Sequence, residues 1–224
     1  MTRAHDMGGR FGDGPIDPGK DKPIFEKDWH ARALAITLAS GALGQWNIDV
    51  SRHARERLSP KDYAGFSYYE KWMAGLANLL VETDLVNIKE MSEISSAQSP
   101  LNAQALKAEN VGMVLAKGAP ADRPSDVARR FNAGDAVKTR RIIGNRLKDG
   151  GHTRLPTYAA GACGHIIRYH GTHVLPDSSA HHLGEAAEPL YAVAFPASEL
   201  WAQPEHPQDE VVLDLWQSYL EPIE

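Results

Sequence analysis

A change of hydrophobic period near residue 118 constrains the fold of this chain more than any other feature of its sequence. Before that point, apolar residues recur at helical spacing, as in the stripe that begins at Asp28 and stops at Gly41. After it, apolar-rich runs of seven or eight residues alternate with segments of Gly, Pro, Asp and His, which is typical of antiparallel strands. The sequence therefore predicts an α+β fold in which the helices precede the sheet.

The same change of period gives the domain organisation. We predict an extended arm over residues 1–27, a helical domain over residues 28–118, a linker over residues 119–130 and a small antiparallel barrel over residues 131–224. A disordered tail is the alternative for the arm, which is crowded with Gly, Pro and Asp. An arm that lies along a partner is favoured because the segment carries spaced apolar residues: Met7, Phe11, Ile16, Ile24 and Phe25.

Cap and turn signals predict the individual elements. The predicted helices are one from Asp28 to the stop at Gly41 and Gly44, a segment capped by Asp49, a segment starting at Ser59-Pro60, Tyr68–Thr83, and a helix from Ser99-Pro100 to about Gly118. The predicted strands are Ala136–Ile143, Ala162–Tyr169, Pro189–Phe195 and Glu210–Trp216. The first helix carries an apolar stripe that includes Ile36 and Leu38, and in the Tyr68–Thr83 helix we expect the stripe of Trp72, Leu76, Leu79 and Leu80 to be buried.

Composition and charge exclude several classes of protein. A formal net charge of -5 and a pI near 6.1 argue against nucleic-acid binding, which needs an excess of Lys and Arg. No window approaches the roughly 18 to 20 apolar residues of a membrane span, and the amino terminus has no apolar secretion signal, so a soluble cytoplasmic protein is expected. A single cysteine, Cys163, excludes an internal disulfide and a cysteine-cluster metal site.

The sequence contains no complete catalytic site. Five histidines lie between His165 and His182, but their spacing does not complete a zinc tetrahedron, and we expect His170 and His173 in a solvated loop. Cys163 is expected to be a small buried apolar residue and not a nucleophile. No nucleophile elbow or phosphate-binding loop is present. If the function needs a thiolate-bound metal, another chain must supply it.

Two arginines stand out as candidates for half a site. Arg52 precedes an aromatic stretch that ends at Trp72, and Arg154 lies in a loop that enters the predicted barrel. A solvated side chain or a weak surface ion pair is the ordinary role of such residues. The planar guanidinium fork, however, fits a bidentate oxyanion such as a carboxylate, a phosphate or an oxidised sulfur. Two forks from separate domains could bind one anionic centre on another polypeptide.

Six motifs, in order along the whole chain, resemble the beta subunit of nitrile hydratase. They are His5-Asp6-Met7-Gly8-Gly9, Lys22-Pro23-Ile24-Phe25 with Trp29, the Asp49–Tyr63 block, Ser67-Tyr68-Tyr69-Glu70, Gly151-His152-Thr153-Arg154-Leu155-Pro156, and Asp214-Leu215-Trp216-Gln217-Ser218-Tyr219-Leu220-Glu221-Pro222. The resemblance implies a lyase that hydrates nitriles to amides. It also implies an arm that embraces the alpha subunit, a helical domain and a C-terminal SH3-like β-barrel.

The resemblance implies a partner that holds the metal. In this family a cobalt(III) ion, or alternatively an iron(III) ion, is bound entirely by the alpha subunit, through cysteine thiolates and backbone amides, with two of the cysteines oxidised. The expected assembly is an alpha/beta heterodimer, often paired into an α2β2 heterotetramer. The tryptophan at position 72 resembles the cobalt-containing members of the family, because iron-containing members tend to have tyrosine there. The resemblance leaves open whether a metal-bound hydroxide or a cysteine oxygen is the nucleophile.

The resemblance also assigns roles to residues of this chain. Arg52 and Arg154 are expected to hydrogen-bond the oxidised cysteines of the alpha subunit, and Tyr68 to assist proton transfer. Trp72, Ile48 and Ser51 are expected to line the nitrile pocket. Lys71 stands where a histidine is common, and Ser51 where some members carry an aromatic residue, so a wider or more polar pocket is expected.

Two other functions stay open from the sequence. One is a subunit of a thiocyanate-hydrolase-like enzyme, although in that family the beta-like sequence is divided between two polypeptides. The other is a non-catalytic metallochaperone or assembly module that uses only the barrel to bind a partner. Such a module would not need Tyr68 or Arg154.

Overall fold

The computed structural model describes residues 4–6, 23–93 and 100–223. These residues form two compact units. Residues 23–93 and 100–119, with Ala4 and His5, make up a helical unit, and residues 120–223, with Asp6, make up a C-terminal unit. Three of the apolar residues predicted in the arm, Met7, Phe11 and Ile16, lie outside the described residues.

Six α-helices and two short 3-10 turns are described in the helical unit. The helices are α1 Asp28–Gly41, α2 Ile48–Glu56, α3 Pro60–Gly65, α4 Tyr68–Glu82, α5 Ile88–Ser92 and α6 Val111–Lys117. The predicted start of α1 at Asp28 is confirmed, the helix ends at Gly41, the first of the two predicted stop glycines, and α4 ends one residue before the predicted Thr83. The long helix predicted up to Gly118 is wrong, because the 3-10 turns Pro100–Gln104 and Ala108–Asn110 precede α6 and the backbone is extended at Lys107.

Side-chain caps define the start of several helices. Asn47, and not the predicted Asp49, caps α2, since its Oδ1 accepts hydrogen bonds from the backbone N–H groups of Asp49 and Val50 at 3.0 and 2.9 Å. The predicted Ser59 cap is confirmed by a 3.1 Å hydrogen bond from the Asp62 N–H to its hydroxyl. Because Asn47 satisfies the first turn of α2, the Asp49 side chain is available for another contact.

The core of the helical unit lies where α2 packs on α4. It contains Trp46, Ala54, Leu76 and Leu79. Of the α4 stripe predicted to be buried, Leu76 and Leu79 are buried, whereas Trp72 and Leu80 are half-buried. On α1, Ile36 and Leu38 are 48% and 39% exposed. The helical unit therefore presents apolar side chains on its surface.

The C-terminal unit is built on one antiparallel sheet. Its strands are β1 Ala136–Thr139, β2 Cys163–His173, β3 Glu188–Pro196, β4 Glu210–Trp216 and β5 Leu220–Pro222, in the order β4-β3-β2-β1-β5. β1 is shorter than predicted and β5 was not predicted. His170 and His173 lie on β2, so the predicted loop position is wrong. Two irregularities of register against β3 interrupt β2, one of them between Tyr169 and Gly171.

The connection between β4 and β5 shows that the sheet is curled. A flat five-stranded sheet would separate its edge strands by about 19 Å, at roughly 4.8 Å per strand. Trp216 ends β4 on one edge and Leu220 begins β5 on the other, and four residue steps span at most about 14 Å. Within the described residues, β4 and β5 do not pair with each other, so closure into an SH3-like barrel stays a prediction.

The hydrophobic core of the C-terminal unit is larger than that of the helical unit. Its fully buried side chains include Val137, Ile166, Tyr191, Phe195 and Tyr219.

Across the described residues, no helix combines the length and apolar character that a bilayer span requires.

Candidate functional site

Helix α2 presents Arg52 through an ion pair within its first turns. Arg52 Nη1 donates to Asp49 Oδ1 at 2.9 Å, three residues earlier on the same face. The Asp49 carboxylate is buried, and a buried carboxylate without a cation would be strongly unfavourable. Arg52 itself is half-buried, and within the described residues its fork makes no second hydrogen bond. Asp49 therefore holds one edge of the guanidinium and leaves the other edge available.

One turn further along α2, Arg55 packs on Trp72 of α4. Its guanidinium carbon lies 4.7 Å from the Trp72 ring centroid, and its Nε donates to the Ser51 carbonyl at 3.1 Å. Burial lowers the pKa of Arg55, with the neighbouring Arg52 acting in the same direction. A Cβ at Gly75 of α4 would lie 2.7 Å from Arg55 Cγ, so any larger residue at this position would force Arg55 or the helix to shift. The helices thus fix the orientation of the Trp72 indole.

Tyr68 begins α4 and stands at the open end of an aromatic cluster. Its ring centroid lies 5.1 Å from that of Tyr69 and 5.5 Å from that of Trp72. The ring centroids of Trp29 and His30 of α1 lie 6.4 and 4.7 Å from that of Tyr69. The Tyr68 side chain is 64% exposed, and Glu70 accepts hydrogen bonds from the Ser67 N–H and hydroxyl that fix this helix start.

The predicted pocket residues Ile48 and Ser51 lie on α2 with Arg52 and Arg55, at spacings that share one helix face. Ile48 is 63% exposed and Ser51 is half-buried. Five of the six predicted site residues therefore belong to two packed helices, α2 and α4. We call this surface the arginine–aromatic face and define it by Ile48, Ser51, Arg52, Tyr68 and Trp72.

The sixth predicted residue, Arg154, belongs to the C-terminal unit. Its side chain is exposed, and its guanidinium forms no ion pair or hydrogen bond within the described residues. Its backbone N–H donates to the Tyr219 hydroxyl at 3.2 Å, while the next residue, Leu155, is buried in the core. The chain here has a fixed backbone and a guanidinium directed to solvent.

A buried polar network lies beneath the Arg154 loop, residues 150–156. The Tyr219 hydroxyl donates to the Asp177 carboxylate, and Arg140 Nη2 lies 3.6 Å from Asp177 Oδ2. Burial raises the pKa of Asp177 and lowers the pKa of Arg140. Burial together with the Asp177 charge raises the pKa of Tyr219, which stays protonated and can donate its hydrogen bond.

The described residues of this chain do not offer a metal site. No group of three or more His, Cys, Asp or Glu side chains converges in residues 4–6, 23–93 and 100–223. Cys163 is half-buried at the start of β2, so the expectation that it is buried is wrong. A trivalent ion held by thiolates therefore does not fit the donors that this part of the chain provides.

Comparison with known proteins gives the family. The family model for the nitrile hydratase beta subunit, N-terminal region, matches residues 1–116, and the model for its C-terminal region matches residues 120–222. The chain belongs to the nitrile hydratase beta subunit family. The two matches together span both units, so the family covers the helical unit as well as the sheet.

Individual relatives in this family match over all or nearly all of their length. The chain is 33% identical to the beta subunit of the low-molecular weight cobalt-containing nitrile hydratase of Rhodococcus rhodochrous, over 99% of this chain and 100% of that one. It is 34% identical to the nitrile hydratase beta subunit of Pseudomonas putida, over 99% and 100%. The cobalt-containing nitrile hydratase beta subunit of Pseudonocardia thermophila is 30% identical, over 100% and 97%.

Among solved structures, the recombinant apo-enzyme of thiocyanate hydrolase from Thiobacillus thioparus matches 58% of this chain and all of its own chain. The TM-score is 0.39 and the sequence identity is 21%.

Sequence reasoning missed the residues that support the candidate side chains. Asp49 was predicted as a cap, although its position three residues before Arg52 is a signal for a helical ion pair. Arg55 and Gly75 gave no signal, because their contact joins two helices. Asp177 and Tyr219 are 42 residues apart in sequence and meet only through the tertiary fold.

Proposed function

We propose that this chain is the catalytic partner of an alpha subunit in a nitrile hydratase, a nitrile hydro-lyase that is active only as the alpha–beta complex. Full-length family membership supports this, together with two guanidinium groups: that of Arg52, which bonds to Asp49 through one nitrogen, and that of Arg154, which forms no hydrogen bond or ion pair within the described residues. The observation that carries the proposal is the Asp49–Arg52 pair. It holds a guanidinium rigidly on a surface while leaving one edge of its fork unbonded within the described residues.

Each arginine has a defined chemical task in this proposal. Arg52 and Arg154 donate charge-assisted hydrogen bonds to oxidised cysteine oxygens of the alpha subunit. Such bonds contribute about 1.5 to 3 kcal/mol each and fix the orientation of the ligands around the metal. When bound, the cobalt(III) or iron(III) ion of the alpha subunit supplies Lewis acidity toward the nitrile. The cobalt-containing relatives and Trp72 favour cobalt.

The arginine–aromatic face supplies the substrate pocket in this proposal. The Trp72 indole, fixed by Arg55, and the exposed Ile48 side chain offer apolar walls for the nitrile substituent. Ser51 adds a hydroxyl to this lining. The Tyr68 hydroxyl moves a proton during hydration, and its exposed position at the start of α4 suits a group that must reach substrate.

The remaining surface suits an alpha subunit partner. The apolar side chains that the helical unit exposes on α1 and α6 need a covering protein, and we assign them to the alpha subunit, with the N-terminal arm embracing it. We also propose that the curled sheet is an SH3-like barrel, because its opposite edges are linked by the short 3-10 turn Gln217–Tyr219. The assembled enzyme is an alpha–beta heterodimer or an α2β2 heterotetramer.

The test compares this chain alone with this chain co-expressed with its alpha-type partner. We expect nitrile-to-amide turnover and bound metal only in the complex, with metal analysis deciding between cobalt and iron. A metal-loaded complex that leaves nitriles unchanged would refute the proposal. Thiocyanate would then be the next substrate, and an inactive complex with both would indicate an assembly module.

Variants of two arginines in the same helical unit sharpen the test. Arg52→Lys keeps the charge but removes the fork, and should lower kcat about 10- to 100-fold. Arg57→Lys is the matched control, because the Arg57 pair with Glu82 is exposed and should contribute little. A complex with Arg52→Lys that turns over at the wild-type rate would contradict the assignment of Arg52.

A further inference from the structure

We propose that Tyr219, oriented by Asp177 and Arg140, is a positioning residue that sets the direction of the Arg154 guanidinium. This inference rests on the proposed function, since it concerns a residue that acts through Arg154. The Tyr219 side chain is fully buried behind the Arg154 loop, and its hydroxyl bonds to that loop as well as to the network below it.

The hydrogen bonds of the Tyr219 hydroxyl are saturated. It accepts from the Arg154 N–H at 3.2 Å and from the Thr153 hydroxyl at 3.3 Å, and it donates its own proton to the Asp177 carboxylate. A phenol oxygen has one donor and two acceptor positions, so all are used. The carboxylate therefore dictates the rotation of the hydroxyl, and the hydroxyl dictates where the backbone of Arg154 lies.

Arg140 fixes this network from the other side. Its guanidinium carbon lies 4.8 Å from the Tyr219 ring centroid, its Nη2 lies 3.6 Å from Asp177 Oδ2, and the same nitrogen donates to the Gly144 carbonyl at 3.3 Å. Both charged side chains are buried. A buried ion pair is often no more stabilising than apolar residues of the same volume, so its value here lies in the geometry that it imposes.

Two further contacts anchor the loop around Arg154. Asn145 Nδ2 donates to the His152 carbonyl at 2.6 Å and to the Asp177 carbonyl at 2.8 Å, which ties the loop to the segment that carries Asp177. On the other side of Arg154, the Thr157 N–H donates to the Asp6 carboxylate oxygens at 3.1 and 3.2 Å. The loop is thus restrained before, at and after Arg154, while the Arg154 side chain stays exposed.

The experiment uses Tyr219→Phe in the complex with the alpha subunit. The change keeps the ring and removes the acceptor of the Arg154 N–H. We expect kcat to fall about 10- to 100-fold, as for a misplacement of a catalytic group by about 1 Å, with KM changed less than about twofold. Hydrogen exchange of peptides that cover residues 150–157 should become faster, and this readout does not depend on activity.

Tyr191→Phe is the matched control. Tyr191 is also fully buried in the C-terminal unit, and its hydroxyl donates to Gln217 Oε1 at 2.8 Å and accepts from the Arg130 N–H at 3.3 Å. This variant removes the same atoms at a place without contact to Arg154. It should leave exchange at residues 150–157 and kcat unchanged.

The outcomes separate this inference from the proposed function. Equal losses of kcat in both tyrosine variants, or a Tyr219→Phe complex with wild-type kcat and unchanged loop exchange, would overturn the positioning role. Wild-type turnover in Arg154→Ala would instead overturn the proposed role of Arg154, while loop exchange in Tyr219→Phe would still show whether the hydroxyl holds the loop.

A second variant covers the case in which Tyr219→Phe does not assemble. Asp177→Asn replaces a charged acceptor by a neutral one, and such hydrogen bonds are about half as strong. We expect a smaller loss of kcat, about threefold, with faster exchange at residues 150–157. No change in either quantity would overturn the inference.

Discussion

Gly75→Ala is the substitution whose effect the structure allows us to calculate most directly. A methyl group at this position of α4 would lie 2.7 Å from Arg55 Cγ and 3.3 Å from the Arg55 backbone nitrogen. Alanine in a helix is favoured over glycine by about 1 kcal/mol. Overpacking of a tight contact costs about 1 to 3 kcal/mol. The sign of the effect therefore depends on whether Arg55 can move away.

The contacts of Arg55 oppose such a movement. Its Nε–Ser51 hydrogen bond contributes about 1 kcal/mol and its position over Trp72 about 0.5 to 1 kcal/mol, and displacement of Cγ would weaken both. The α2 backbone at Arg55 can yield only by separating from α4. We therefore expect Gly75→Ala to destabilise the complex by about 1 kcal/mol, and to lower kcat/KM because the Trp72 indole loses its support.

The assay is thermal unfolding of the alpha–beta complex together with nitrile turnover. Gly65→Ala at the end of α3 is the control, because a Cβ there meets nothing within 4 Å. It should be neutral or raise the apparent Tm, whereas Gly75→Ala should lower it. If Gly75→Ala raised the Tm as much as Gly65→Ala and left turnover unchanged, the reasoning about the contact between α2 and α4 would be refuted.

Three further predictions concern the helical unit. Asp49→Asn removes the charge that orients Arg52, and steady-state kinetics should show a loss of kcat smaller than that of Arg52→Lys. A kcat that equals or exceeds the wild-type value would contradict this role of Asp49. Tyr68→Phe removes the proposed proton carrier and should lower kcat about 10²-fold or more with little change in KM, so an unchanged kcat would exclude that role. Hydrogen bonds from Ser67 lower the pKa of Glu70 below its ordinary 4.5, so its contribution to stability is present above pH 4.5 and is lost as the pH falls through the lowered pKa. The Tm difference between wild type and Glu70→Gln should be constant down to about pH 5 and shrink at lower pH; a difference that grows there would contradict the sign.

Local signals predicted the parts of the fold that depend on neighbouring residues. The helix Asp28–Gly41 starts at the predicted residue and ends at the first of two predicted stop glycines, and the strand Glu210–Trp216 has the predicted bounds, because apolar periodicity and end signals agree. The exposure of Ile36 and Leu38 could not be predicted in the same way. Periodicity shows that a helix has an apolar face but does not show which polypeptide covers it.

The supporting residues of the candidate site could not be predicted from sequence spacing. Tyr219 and Asp177 contact each other only because β5 returns the chain end to β1, and β5 is three residues long with no periodicity to detect. Arg55 looked like any other helical arginine, since its role depends on the absence of a side chain at Gly75. Arg52 and Arg154 stood out from the chemistry of the guanidinium fork, whereas the roles of Arg52, Arg154, Tyr68 and Trp72 came from the resemblance to a family and stay predictions.

The most direct test of the central proposal is a double-mutant cycle of Arg52→Lys and Arg154→Lys in the alpha–beta complex, with kcat/KM for a nitrile as the measured quantity. If both guanidinium groups bind the oxidised ligands of one metal centre, each single variant should lose about tenfold or more and the pair should be coupled by about 1 kcal/mol or more. Wild-type rates in either single variant, or strictly additive losses in the double variant, would contradict the account.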